Sequence, residues 1–202
     1  MLILGHAGIT LGAAAVLDAA WCGKHPCMTS SSRASPGSRC RPGTAWFASL
    51  ARHIDIRILL LGSLLPDIID KPLGQLLFRE VFSTGRIFGH TLLFLLVISL
   101  VGLWLYRREK KNWPLVLSFG TFTHLSFDQM WLNPATLLWP LFGWEFQKLV
   151  LDHWVQSTLV GLLTEPGEYI PEIIGGTVLG IFGLSLLRQG RLRSFVRTGR
   201  VE

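Results

Sequence analysis

The chain has 202 residues, of which 50% are hydrophobic and only 16% charged, where a soluble domain carries about 25% charged residues. With a mean hydropathy of +0.43, this excludes an ordinary soluble protein and points to one integral membrane domain spanning residues 1–202. The net charge of +6 lies in three blocks, residues 24–57, 107–111 and 188–200, each beside an apolar run. That is the layout of cytoplasmic loops and not of a nucleic-acid-binding surface, so no nucleic-acid partner is expected.

The first apolar segment, residues 2–20, reads as a retained membrane helix. It has no basic start, His6 interrupts it, and Trp21 before Cys22 is too bulky for a lipoprotein cleavage site. Residues 22–43 are rich in Ser, Pro, Gly and Arg and read as a flexible basic loop. Its three cysteines, Cys22, Cys27 and Cys40, fit no zinc spacing and read as free thiols. "TAWFASLARHIDIR" has helical apolar spacing and suits a stretch lying along the membrane interface.

The second segment, residues 54–65, is expected to end where Pro66 stops the helix, just before Asp67 and Asp70. The third, "IFGHTLLFLLVISLVGLWL", is about 19 residues, close to a bilayer's thickness, and is followed by "YRREKK". The fourth runs over residues 113–131. Residues 132–154 carry tryptophans and prolines and suit a re-entrant or interfacial stretch. The fifth covers residues 170–187 and leads into a basic cytoplasmic tail, 188–202. The fold expected is therefore an all-α bundle of about five transmembrane or membrane-embedded helices.

Placing the basic blocks inside puts the N-terminus outside and makes the five segments alternate without conflict. His6, Asp67, Asp70, His90, His124 and Asp128 then all fall near the outer face. A carboxylate at membrane depth costs roughly 2.5–3.5 kcal/mol on insertion scales, so such residues mark function. His124 and Asp128, four apart, share a helix face, and Asp67 and Asp70, three apart, share one side of a turn if the chain stays helical. Imidazole with carboxylate is the ligand set of a divalent metal, zinc first, with iron or manganese also suited. Singly, each residue has a simpler reading: a structural His6, a capping Asp67, a hydrogen bond between His124 and Asp128. Together they share one depth, which one polar site explains.

Other polar residues are less informative. His25, His53 and Asp55 fall on the inner side, and Asp18 near the inner end of the first segment. Asp152 and His153 are placed to border the site. Arg86 and Lys71 suit an anionic headgroup such as phosphate, or a plain interfacial anchor.

"GSLLPDIID", "GHTLLF" and "THLSFDQMW" followed by "NPATLLWPLFGW" resemble the predicted membrane-bound metal-dependent hydrolases, small inner-membrane proteins of the YdjM type. The resemblance covers most of residues 1–145, with 22–43 as an insertion. It implies a metal held by His6, Asp67, His90, His124 and Asp128. Two departures stand out: the acids are spaced three apart where the family motif has two, and Gly89 precedes the central histidine.

The leading expectation is hydrolysis of a lipid-like or membrane-associated ester or phosphoester by metal-activated water. Asp70, or Asp67, is the expected general base. No serine or cysteine sits in a nucleophile motif. The alternative is a non-enzymatic protein that binds or moves metal ions or protons through the same residues. A transport path needs polarity through the full thickness, and the inner halves of the third and fifth segments show almost none.

Overall fold

The computed structural model describes residues 2–22, 54–146 and 154–199, and every regular element among them is helical. Residues 23–43 of the basic loop, most of the stretch expected along the interface, Cys27, Cys40, His25, His53, Asp152 and His153 lie outside the described residues. The helices are α1 (Ile3–Cys22), α2 (Ile56–Lys71), α3 (Arg79–Phe82), α4 (Leu92–Glu109) and α5 (Trp113–Phe127). They continue with α6 (Pro134–Leu137), α7 (Trp154–Thr164), α8 (Pro166–Arg188) and α9 (Leu192–Thr198).

The helix ends follow local chemistry. Asp55 caps α2 by accepting from Arg57 N at 3.0 Å, and Thr91 caps α4 by accepting from Phe94 N at 3.1 Å. Pro166 opens α8, where its missing N–H costs nothing.

Pro66 does not stop α2. The helix runs through it to Lys71 and continues as a wide turn over Pro72–Leu77. A proline inside a helix deprives the carbonyl four residues earlier of its donor. That carbonyl belongs to Gly62, and the Thr121 hydroxyl of α5 donates to it at 3.2 Å. The neighbouring helix thus replaces the missing bond.

Three other boundaries move. His90 lies in a short 3-10 turn, Phe88–His90, ahead of α4 and not inside it. Asp128 caps the end of α5, its N–H still bonded to His124 O at 2.9 Å. Helix α8 begins at Pro166, earlier than expected, and forms a hairpin with α7 around Glu165.

Two close crossings assemble the bundle. Gly8 of α1 meets Gly175 of α8 so closely that a Cβ on Gly8 would strike the Gly175 backbone, and one on Gly175 would strike the backbone of Leu4 and Gly5. Gly62 of α2 likewise meets Leu117 of α5, and a Cβ on Gly120 would stand 2.6 Å from Leu59 O. Small residues at crossings are how helices pack where lipid removes the hydrophobic drive between them.

Contact order along the helices gives their directions. Gly8 meets Gly175 and Gly12 points at Val178, so α1 and α8 run parallel. Ser99 bonds Ser118 at 2.5 Å and Gly102 faces Leu115, so α4 and α5 run antiparallel. Thr10 bonds Thr123 at 2.9 Å while His6 reaches Asp128, so α1 and α5 do too.

Two described helices, over Ile3–Ala20 and Pro166–Arg188, are long and apolar enough to cross a membrane. Helices α2 and α5 are shorter, at 16 and 15 residues, and α4 ends in Arg107, Arg108 and Glu109. Of α4 only Gly102 is buried, while Leu96, Val97, Leu100, Val101 and Trp104 are exposed. An apolar face this continuous suits lipid and not water.

Candidate metal centre

Three helices and one turn converge at one end of the bundle. Helix α1 brings His6, α2 brings Asp67 and Asp70, the turn before α4 brings His90, and the end of α5 brings His124 and Asp128. His6, Asp70, His90 and His124 have no exposed surface, and the Asp128 and Asp67 side chains are 6% and 12% exposed.

Hydrogen bonds fix how two of the histidines face. His124 Nδ1 is 2.6 Å from the carbonyl of Ser63, which can only accept, so Nδ1 carries the proton. His90 Nδ1 is 2.7 Å from Asp70 Oδ2 and donates to it. In its neutral form each ring therefore presents a bare Nε2, and the two Nε2 atoms are 3.2 Å apart. Two bare acceptors cannot bond to each other; a cation between them, a proton or a metal ion, resolves the conflict. Two nitrogens bound to one ion at 2.0–2.1 Å with a tetrahedral angle stand about 3.3 Å apart. The spacing fits a metal.

Carboxylates surround that point. Asp67 Oδ1 lies 3.7 Å from His90 Nε2 and 3.9 Å from His124 Nε2, and Asp128 Oδ2 lies 3.8 Å from His90 Nε2. His6 stacks on His124 with centroids 4.0 Å apart, and its Nε2 is 3.1 Å from Asp128 Oδ1. His6 Nδ1 has no hydrogen-bond partner among the described residues. Two overlapping trios, Asp67 with His90 and His124, and His6 with His124 and Asp128, each bring their donor atoms within 4.8 Å of one another. Since His124 has one bare nitrogen, it serves one ion only.

Asp70 is placed differently from the free base expected from the sequence. Its oxygens accept from the backbone N–H of Ile87 at 2.8 Å, Gly89 at 2.8 Å and His90 at 3.1 Å, besides His90 Nδ1. It stands behind the His90 ring, folding the turn around itself and fixing the imidazole's tautomer. Carboxylate–histidine pairs of this kind orient metal ligands.

At the mouth, Lys71 Nζ is 2.6 Å from Asp67 Oδ2 and Arg86 Nη2 is 2.9 Å from Asp128 Oδ2. At the opposite end of α2, burial disfavours the charged form of Asp55, but hydrogen bonds from Arg57 outweigh it and hold the carboxyl below its ordinary value of 3.8. Arg57 also donates to Val196 O at 2.9 Å, tying α9 to the start of α2.

Two contributors escape a reading of the sequence. Glu172 of α8 accepts from Leu2 N at 2.6 Å and Gly5 N at 3.1 Å, satisfying donors at the start of α1 one turn from His6. An acid inside an apolar segment is the signal for it. The Ser63 carbonyl carries none, because a backbone acceptor is invisible in a sequence. Asp18, twelve residues along α1 from His6, lies about 18 Å away by helical rise.

No curated protein and no solved structure matches the chain. A protein family described as YdjM inner membrane protein matches over residues 1–192. With its apolar helices and its buried cluster of histidines and aspartates, the chain belongs to the YdjM inner membrane protein family.

Proposed function

We propose that the protein is a multi-pass inner-membrane hydrolase of lipid-like or membrane-associated esters or phosphoesters. Its divalent metal is held by His6, Asp67, His90, His124 and Asp128, near the extracytoplasmic face, with the N-terminus outside. Five membrane-embedded helices, α1, α2, α4, α5 and α8, make up the bundle. Zinc suits the donor set first, and iron or manganese share it. The observation that carries this reading is the pair of bare Nε2 atoms 3.2 Å apart, each with its Nδ1–H committed elsewhere.

A divalent ion there supplies Lewis acidity, which acidifies water toward a pKa of about 7 and polarises a carbonyl or phosphoryl oxygen. The chain's own groups do the rest. Asp70 holds the His90 ring in its tautomer, and the Ser63 carbonyl does the same for His124. Asp67, the most exposed of the three carboxylates, takes the proton from water. The buried helix interfaces exclude bulk water behind the site.

Ion transport is less well supported. Beyond the cluster the bundle interior is filled by Leu11, Ala14, Ala15, Ile56, Leu59, Val116, Phe182 and Leu186. That apolar plug offers no relay from the site to the other end among the described residues.

Elemental analysis of mildly purified protein tests the reading. Wild type is expected to hold stoichiometric metal, while His124→Ala and Asp67→Ala lose it while keeping their helical content. Wild-type protein without metal would sink the proposal.

A further inference from the structure

Lys71 and Arg86 come from different elements, the last turn of α2 and the loop before the 3-10 turn, yet they form one rim. A Cβ on Gly85, beside Arg86, would stand 3.4 Å from Lys71 Cγ. Each cation holds one oxygen of a site carboxylate: Lys71 holds Asp67 Oδ2, and Arg86 holds Asp128 Oδ2. Asp67 Oδ1 faces His90 and His124, while Asp128 Oδ1 faces His6 and its Oδ2 also lies 3.8 Å from His90 Nε2. The cations' side chains are 43% and 41% exposed, against 12% and 6% for the carboxylates. A group approaching the histidines from outside therefore meets positive charge first.

Charge at the site points the same way. Asp67, Asp70 and Asp128 against Lys71 and Arg86 leave one net negative charge, and a divalent ion turns it to one net positive. A phosphate complements such a mouth, taking hydrogen bonds from the guanidinium fork and the ammonium. A neutral carboxylic ester gains nothing from two cations there. The chain next to Lys71 is apolar and outward-facing: Leu76 and Leu77 are 76% and 70% exposed, and Phe78 and Val81 are 50% and 58% exposed. That border suits a headgroup delivered from a lipid surface.

We infer that the substrate is a phosphate-bearing lipid and that Lys71 and Arg86 select its phosphate, an inference that rests on the metal-dependent reading above. The test uses full-length protein in uncharged detergent and three probes: dihexanoyl phosphatidic acid, its uncharged twin dihexanoylglycerol, and glycerol phosphate. Wild type should bind phosphatidic acid at least about tenfold more tightly than dihexanoylglycerol, and glycerol phosphate more weakly than phosphatidic acid. Lys71→Gln and Arg86→Gln should each lower the preference about tenfold with metal content unchanged. Lys71→Arg and Arg86→Lys, which keep the charge, should retain most of it, as a merely structural role would not require.

Equal binding of phosphatidic acid and dihexanoylglycerol by wild type overturns the inference, as does a Lys71→Gln/Arg86→Gln double variant that keeps the preference. Glycerol phosphate binding as tightly as phosphatidic acid overturns the lipid part and makes a free phosphate the ligand. Metal content, measured on the same samples, reports on the hydrolase reading separately.

Discussion

Toward one end of the bundle, α1, α2, α5 and α8 bury Leu11, Ala15, Leu59, Val116 and Phe182 in a continuous apolar core. Toward the other end, α1, α2 and α5 bury His6, Thr10, Ser63, Asp70, Thr121, Thr123 and His124 just as completely. Burial is equal; chemistry is opposite. The apolar half is stabilised by close packing, where any side chain of suitable shape serves. The polar half persists because nearly every buried donor and acceptor finds a partner, as Thr10 does in Thr123 and Asp70 in four N–H groups. Its exceptions among the described residues, Nδ1 of His6 and the facing Nε2 atoms of His90 and His124, cluster where a cation fits.

Paired substitutions break or sharpen that contrast. Asp70→Ala strands three backbone N–H groups and the Nδ1–H of His90 in a buried space, so the largest loss is expected there. Removing one partner of such a buried charged network costs about 3–5 kcal/mol. Thermal unfolding in detergent should show that loss together with weakened metal retention, because the His90 ring is no longer held.

Leu59→Ala, in the apolar half, should cost about 2–5 kcal/mol through the cavity it leaves. Its metal content should match wild type. If both variants lose metal in proportion to stability, the division between a packed half and a chemical half is wrong.

The smallest effect is expected at Asp55, where the pair with Arg57 is exposed and screened. Asp55 has a depressed folded-state pKa, so its contribution is present above its ordinary value of 3.8 and lost as pH falls through the lower folded value. Melting temperatures of wild type and Asp55→Asn should therefore differ slightly near neutrality and converge in acid. A difference that grows on acidification would contradict the assignment.

Much of the site is legible in the sequence. The uneven distribution of Lys and Arg groups His6, Asp67, His90, His124 and Asp128 by depth alone, and the packed helices bring all five together. What misleads is local. Pro66 reads as a stop because its missing N–H is visible in the sequence, while the Thr121 hydroxyl that compensates lies 59 residues away on α5. Asp70 reads as a second acid at the site because it is three residues from Asp67. Its partners come from 17 to 20 residues downstream, where the chain folds back over it. The start of α8 reads late because the apolar run of its sequence begins at Ile170, while the helix begins at Pro166 and carries Glu168 in its first turn. Glu172 finds its compensation in the backbone N–H groups at the start of α1.

Composition and periodicity determined by themselves that this chain is helical and membrane-bound, and which residue types to look for together at one end of the bundle. Those properties follow from solvent transfer and charge, which act residue by residue. Tertiary structure alone decided which carboxylate faces the histidines and which stands behind one, and which nitrogen of each ring is left bare. It also brought two cations from separate elements to one rim. Such choices depend on distances of a few ångströms between atoms far apart in the chain, and only the packed helices set them.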